Sequence, residues 1–260
     1  MSTITLASTT SNDSTPVSGA PRHRLLRLWL VELRKLVDTP AGVALLAVGA
    51  LLAGVFGGGV ALLSEDATLD RIVRLAGTPT GLLLPVLAVL LVTGERQHRT
   101  ALTGYALTPR RGRVLVAKAF AVLTLAVAAW ALALLAGVLI AAVSSPIVGH
   151  PIAWSIDWTT QLWFGLSLVL AALSGYAVGL AIGNAPAAIS LLLAWPMLAL
   201  FLGVIPQAAE VLAWLDVNAV VALVDGIEPI ELARVATGAA VWVILPATAG
   251  VLRELNREVR

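Results

Sequence analysis

Six long stretches of the chain, residues 41–63, 79–93, 119–143, 160–182, 185–205 and 235–252, contain no Asp, Glu, Lys, Arg or His. Every charged residue falls between or around them. A helix needs about 20 apolar residues to cross the hydrocarbon core of a bilayer. Most of the stretches reach that length unaided; the second does so once extended back through Leu75 and Ala76. The pattern predicts an all-α, polytopic membrane protein with six transmembrane helices. Residues 114–143 would form a helix of about 45 Å, so the basic start of that span should project beyond the bilayer.

The polar segments differ in kind. Residues 1–21, rich in Ser and Thr, lack a basic stretch followed by an apolar one and do not read as a cleavable signal peptide; a disordered tail is expected. Residues 22–38 place Arg24, Arg27, Arg34, Lys35 and Asp38 on one helical stripe, with Leu26, Trp29, Leu30, Leu33, Leu36 and Val37 opposite. This is the pattern of an amphipathic helix lying at the headgroups, its cations against anionic lipid. Thr39-Pro40 then reads as an N-cap and first helical residue, and Thr78-Pro79 and Thr108-Pro109 repeat that signal. The loop 144–159 carries Trp154 and Trp158, with Trp163 just inside the next span, as an interfacial aromatic belt would. Gly175, Gly179 and Gly183 recur every fourth residue, a spacing suited to close helix packing. The Asn184–Pro186 turn makes spans four and five an antiparallel hairpin, and Pro85, Pro196 and Pro246 sit inside spans. Residues 206–233 mix apolar side chains with five acids and suggest a short re-entrant or surface helix pair on the outer face.

Charge sets the expected orientation. Arg22, Arg24, Arg27, Arg34 and Lys35, then Arg96, Arg99, Arg110, Arg111, Arg113 and Lys118, then Arg253, Arg257 and Arg260 all fall on one side. Only Arg71, Arg74 and Arg234 fall on the other. The positive-inside rule puts both termini in the cytoplasm of a cell-membrane protein. Only 12% of residues are charged, about half the usual share for a soluble domain, so residues 22–255 are expected to form a single membrane domain with 256–260 as a cytoplasmic tail. Nucleic acid is not an expected partner.

Several chemistries lack their residues. A phosphate-binding loop needs Gly-Lys-Ser/Thr, and the two lysines follow Arg34 and Ala117. The histidines, His23, His98 and His150, stand far apart, and there is no cysteine. No nucleotide, metal or other cofactor is expected on this chain, and it does not read as an enzyme. Proton coupling needs titratable groups in the membrane, which the six stretches do not supply; sodium coupling through carbonyls and hydroxyls stays open.

The loop between spans two and three carries the most specific signal: Gly94-Glu95-Arg96-Gln97-His98-Arg99-Thr100, then an apolar run through Tyr105, then Thr108-Pro109-Arg110-Arg111-Gly112-Arg113. A helix over 95–107 would lie across the ends of the spans and suit a cytoplasmic partner, and the arginines also serve topology. This loop, the start Trp29-Leu30-Val31-Glu32-Leu33-Arg34-Lys35-Leu36, Lys118 at the head of span three, and Trp214-Leu215 with Asn218-Ala219 together resemble the permease subunits of type-2 ATP-binding-cassette (ABC) exporters in their compact six-span bacterial form. Arg99 stands where many members have Gly.

The resemblance covers residues 22–255 and implies a role for each segment. Residues 22–38, with Arg27, Trp29, Glu32, Arg34 and Lys35, would be an elbow helix. Residues 95–107 would be a coupling helix docking a partner ATPase through Glu95, Arg96, Arg99, Thr100, Tyr105, Pro109, Arg110 and Arg111. ATP and Mg would bind that ATP-binding subunit. A second permease copy or a paralogue would complete the assembly in membrane lipid, and the cargo would be amphiphilic or hydrophobic: a drug, peptide antibiotic or lipid-linked molecule. An ion-coupled secondary carrier and a non-transporting anchor or sensor subunit are the alternatives.

Overall fold

A computed structural model of the chain describes residues 29–31, 33–34, 38–97, 111–149, 151–224 and 227–256. Its helices are α1 (Pro40–Leu63), α2 (Leu69–Gln97), α3 (Arg111–Ser144), α4 (Trp158–Ile182), α5 (Ala185–Leu202), α6 (Pro206–Trp214), α7 (Pro229–Ala239) and α8 (Leu245–Asn256). A 3₁₀ turn occupies Ala219–Val224, and a π turn, Ala240–Ile244, joins α7 to α8 into one span. Among the described residues six helical segments are long and apolar enough to cross a bilayer, the last running Pro229–Glu254. The architecture is that of an all-helical, multi-pass membrane protein. The described residues of 29–34 are helical, whereas the remainder of the expected elbow helix (Arg27, Glu32 and Lys35 among it) and the greater part of 95–107 lie outside the described residues.

Successive spans run antiparallel. One end of the bundle, the basic end, holds Pro40, Gln97, Arg111, Ile182, Ala185 and Asn256; the other, acidic end holds Leu63, Leu69, Ser144, Trp158, Leu202 and Pro229. Helices α2 and α4 form the centre, each burying more than half of its span residues, while α1 and α5 bury few. Helix α3 closes one side of this pair, and the main core gathers Leu84, Leu87, Leu91, Val122, Phe164 and Leu168 from the three. Hydrocarbon is as apolar as leucine, so close packing rather than exclusion from water holds such spans together. Gly175 and Gly179 supply the closeness: a Cβ on Gly175 would collide with the backbone of Pro85, and one on Gly179 would lie 3.2 Å from the Cα of Val89. Gly183, expected to pack with them, instead ends α4 as its C-cap, in the left-handed region at φ 69° that favours glycine.

Thr39 caps α1, its Oγ1 accepting from the Gly42 N–H at 3.2 Å, with Pro40 opening the helix as expected. The Thr78-Pro79 repeat of that signal does not start a helix: α2 runs unbroken from Leu69 with Pro79 and Pro85 inside it. Tertiary contacts outweigh the local signal there. Leu69, Ile72, Val73 and Ala76 are all buried, and the Thr78 hydroxyl donates to Arg74 O at 2.9 Å. The sixth span begins at Pro229, six residues before its apolar stretch, and passes through the π turn just ahead of Pro246. Proline has no N–H and its ring crowds the carbonyl four residues back; the wider turn makes room for it.

Gly175→Ala should lower the thermal unfolding midpoint in detergent by the equivalent of about 1–3 kcal/mol of overpacking. Gly58→Ala, where a Cβ meets nothing within 4 Å, should be neutral or slightly stabilising, as Ala outranks Gly in a helix by roughly 1 kcal/mol. Thermal melts of both variants followed by size-exclusion chromatography check the pair.

Candidate functional site

The basic end is built from the last turns of α2, α4 and α8 and the first turns of α3. Glu95 and Arg96 lie in the final turn of α2 and Arg111 opens α3, so the segment between them leaves and rejoins the bundle at this end. Arg99, Thr100, Tyr105, Pro109 and Arg110 lie outside the described residues. Side chains from neighbouring helices tie these ends together through backbone carbonyls, and one of them meets the orphan carbonyls of a helix C-terminus. Lys118, 3% exposed, donates from Nζ to Leu91 O at 3.2 Å, running its aliphatic stem through the core as a snorkelling lysine does. Tyr176 donates its hydroxyl to Leu115 O at 3.0 Å. Arg253 donates from Nη1 to Ala181 O and Ile182 O, both at 2.9 Å, placing a cation on the C-terminus of α4, where the helix dipole favours it. Glu254 is also buried and engaged. From the N-terminal segment, Trp29 donates from Nε1 to Thr124 Oγ1 at 3.1 Å, and Trp29 and Leu33 pack on the main core; Arg34 is exposed. The ends of α2, α3, α4 and α8 are thus cross-tied next to the point where residues 98–110 depart. A lone lysine flanked by Ala117 and Ala119 was the visible signal for the α2–α3 tie, though in sequence it reads only as a topological charge.

The acidic end is tied by backbone. The Leu69 N–H donates to Ala153 O at 2.8 Å and the Ala153 N–H to Ala67 O at 3.0 Å. Below this, Gln161 is fully buried and donates from Nε2 to Asp70 Oδ1 at 2.8 Å, while Arg74 Nε lies 3.0 Å from Asp70 Oδ2. Gln161 Oε1 meets no protein donor. Asp157 caps α4. The Thr160 hydroxyl and, next, the Thr159 N–H hold its carboxyl below the usual aspartate range. Trp154 and Trp158 are exposed at this level, as an interfacial belt requires.

Residues 206–224 do not stay on the surface. A Cβ on Gly238 would collide with Asp216 O, and Gly238 stands nine residues, about 14 Å, into the last span from Pro229. Trp242 Nε1 donates to Leu215 O at 2.7 Å, and Val217 packs on the cluster of Val89, Val178 and Trp242. The segment is therefore re-entrant, and it carries Asp216 far below the acidic end. The Asp216 carboxylate accepts from the Asn218 N–H at 2.8 Å and remains exposed. Sequence reading missed this acid because it lies outside every apolar stretch; the paired signal was Trp214-Leu215-Asp216-Val217 facing a glycine in the following span.

Between α1, α2 and α3 runs a groove of about 470 Å³, lined by aliphatic residues such as Leu46, Leu84, Leu132 and Leu139, with the Thr80 hydroxyl as its polar feature. It suits hydrocarbon. Among the described residues no three His, Asp or Glu side chains gather as metal ligands. The chain matches no model of a known protein family and no curated protein.

The depressed Asp157 acidity gives a pH test. The folded form holds the carboxylate more tightly than the unfolded chain, whose ordinary value is 3.8, so the stabilisation is complete above that value and disappears as pH falls through the lower, folded one. The melting-temperature gap between the native chain and Asp157→Ala should be constant above about pH 5 and close below about pH 4. Asp157→Asn, which keeps an acceptor at the cap, should leave a smaller gap that narrows over the same pH range, because only the native chain titrates there.

Proposed function

We propose that this chain is the membrane-spanning subunit of an ATP-driven exporter of the type-2 ABC class, moving an amphiphilic or hydrophobic molecule outward. The observation that carries the reading is the cross-tied basic end. Helix α2 continues without a break to Gln97, is fastened to α3 by Lys118, and lies backbone-to-backbone on α4 at Gly175. A force applied to residues 95–107 would enter this α2–α4 pair rather than be lost in a loop. Two such chains, or this chain and a paralogue, would each dock an ATPase subunit from the cytoplasm. Closure of the ATPases around ATP and Mg would then shift the central pair against the loosely packed α1 and α5. The free energy arrives mechanically, so the permease itself binds no nucleotide. The hydrocarbon-lined groove beside α1 accords with a cargo that travels partly in the membrane.

One observation favours a second reading. Asp216, carried deep by the re-entrant segment, is an ionisable group where a coupling ion could bind, and intramembrane carboxylates are a feature of ion-driven carriers. The two readings differ in their partner.

The full chain, tagged and purified in mild detergent, should bring down an ABC ATPase. Glu95→Ala with Arg96→Ala should reduce the recovered ATPase at least tenfold while leaving the permease folded. A clean homo-oligomer without ATPase would overturn the exporter reading and turn attention to transport driven by an ion gradient through Asp216.

A further inference from the structure

Four prolines interrupt spans: Pro79 and Pro85 in α2, Pro196 in α5 and Pro246 in α8. Each lacks an N–H for the helical ladder; in the α-helical spans that leaves the carbonyls of Leu75, Gly81 and Leu192 short of their usual donor, while Pro246 follows the π turn that carries Trp242. Two of these three, Gly81 and Leu192, border one cavity of about 50 Å³, and Trp242 of the π turn borders it as well. They come from three different spans. Pro85 and Pro196 border the same cavity, so in α2 and α5 the gap in the hydrogen-bond ladder opens onto it. The re-entrant tip supplies the remaining polar lining through Asn218, and α4 supplies Ser174, whose hydroxyl donates to Ala171 O and keeps its acceptor capacity.

The cavity lies at mid-depth. Gly81 is twelve residues, about 18 Å, from the start of α2, and Leu192 and Pro196 straddle the middle of the 18-residue α5. Lipid offers no donor at that level, so freed carbonyls there must be met by protein or by water drawn into the fold. The indole N–H of Trp242 is already committed to Leu215 O. A water needs roughly 10–15 Å³ of such space and two to four polar partners, so a cavity this size holds about three.

We propose that this cavity is a hydrated site, in which about three water molecules donate to the freed carbonyls of Gly81 and Leu192 and bridge them to the Asn218 amide beside Trp242. The waters arrive from the acidic end along the 206–224 segment, whose Asp216 and Asn218 are exposed. Water keeps each broken ladder bonded while its helix bends, so α2 and α5 share one bending level with the π turn of the last span around the re-entrant tip. The site is independent of what powers transport.

Hydroxyl-radical footprinting of the unaltered full chain in lipid nanodiscs tests the proposal directly, because radicals form from the bound waters themselves. Trp242 is 9% exposed, as is Phe164 of the main core. After correction for intrinsic reactivity, Trp242 should be modified at least tenfold faster than Phe164, and Asn218→Leu should reduce that excess at least threefold. Equally slow modification of Trp242 and Phe164 would overturn the hydrated site. Protection of Trp242 in sodium chloride relative to choline chloride at equal ionic strength would also overturn it, since a bound cation would then occupy the place assigned to water.

Discussion

Within a bilayer no backbone N–H or C=O can turn to solvent, and each place where a helix starts, stops or breaks must find its partner inside the protein. Most of the polar side chains described in the spans answer that constraint. Thr93, Thr124, Ser167 and Ser174 return their hydroxyls to carbonyls of their own helices. Gly183 closes α4 by donating its N–H to Gly179 O, and Arg253 meets two of the three carbonyls beyond it. Lys118 reaches from α3 to Leu91 O within α2. The prolines are where this supply fails locally, and the fold brings two such breaks, at Gly81 and Leu192, to one small cavity instead of leaving them on the lipid face.

The second determinant is distance. Burial from water contributes little between helices that sit in hydrocarbon, so the contacts that count are those where backbones approach most closely. Gly175 against Pro85 and Gly179 against Val89 bring α2 and α4 together along the middle of the bundle, and the aliphatic core forms on the flank they share with α3. Helix α1 comes this close only at Gly57, where a Cβ would lie 3.0 Å from Ala76 Cβ, and α5 contains no glycine. Their exposed Leu51, Val55, Leu200 and Phe201 are ordinary lipid-facing residues in a membrane setting.

The centre is tied at both ends, through Lys118, Tyr176 and Arg253 at one and through Gln161 and the Thr68–Ala153 pairing at the other. The re-entrant segment reaches between the flanking spans, packed through Val217 on the cluster that holds Trp195 of α5 and Trp242 of the last span, whose rings lie 5.2 Å apart.

The charge-free stretches by themselves determined that the chain makes six spans, roughly where they lie, and that Thr39-Pro40 starts the first, because hydrophobic length and capping are local properties of the chain. The exact ends were not local: α2 begins at Leu69 because buried side chains and the Asp70–Gln161 tie extend it past its apolar run, whereas the last span opens six residues ahead of its run, at Pro229. Three glycines at equal spacing looked alike in sequence. Only the packed structure separates Gly175 and Gly179, which face the α2 backbone, from Gly183, whose left-handed conformation ends the helix. The depth of Asp216 and the meeting of the Pro85 and Pro196 breaks at one cavity were decided wholly by tertiary structure. Both depend on which residues of distant helices share a level in the membrane, and no window along a single chain contains that information.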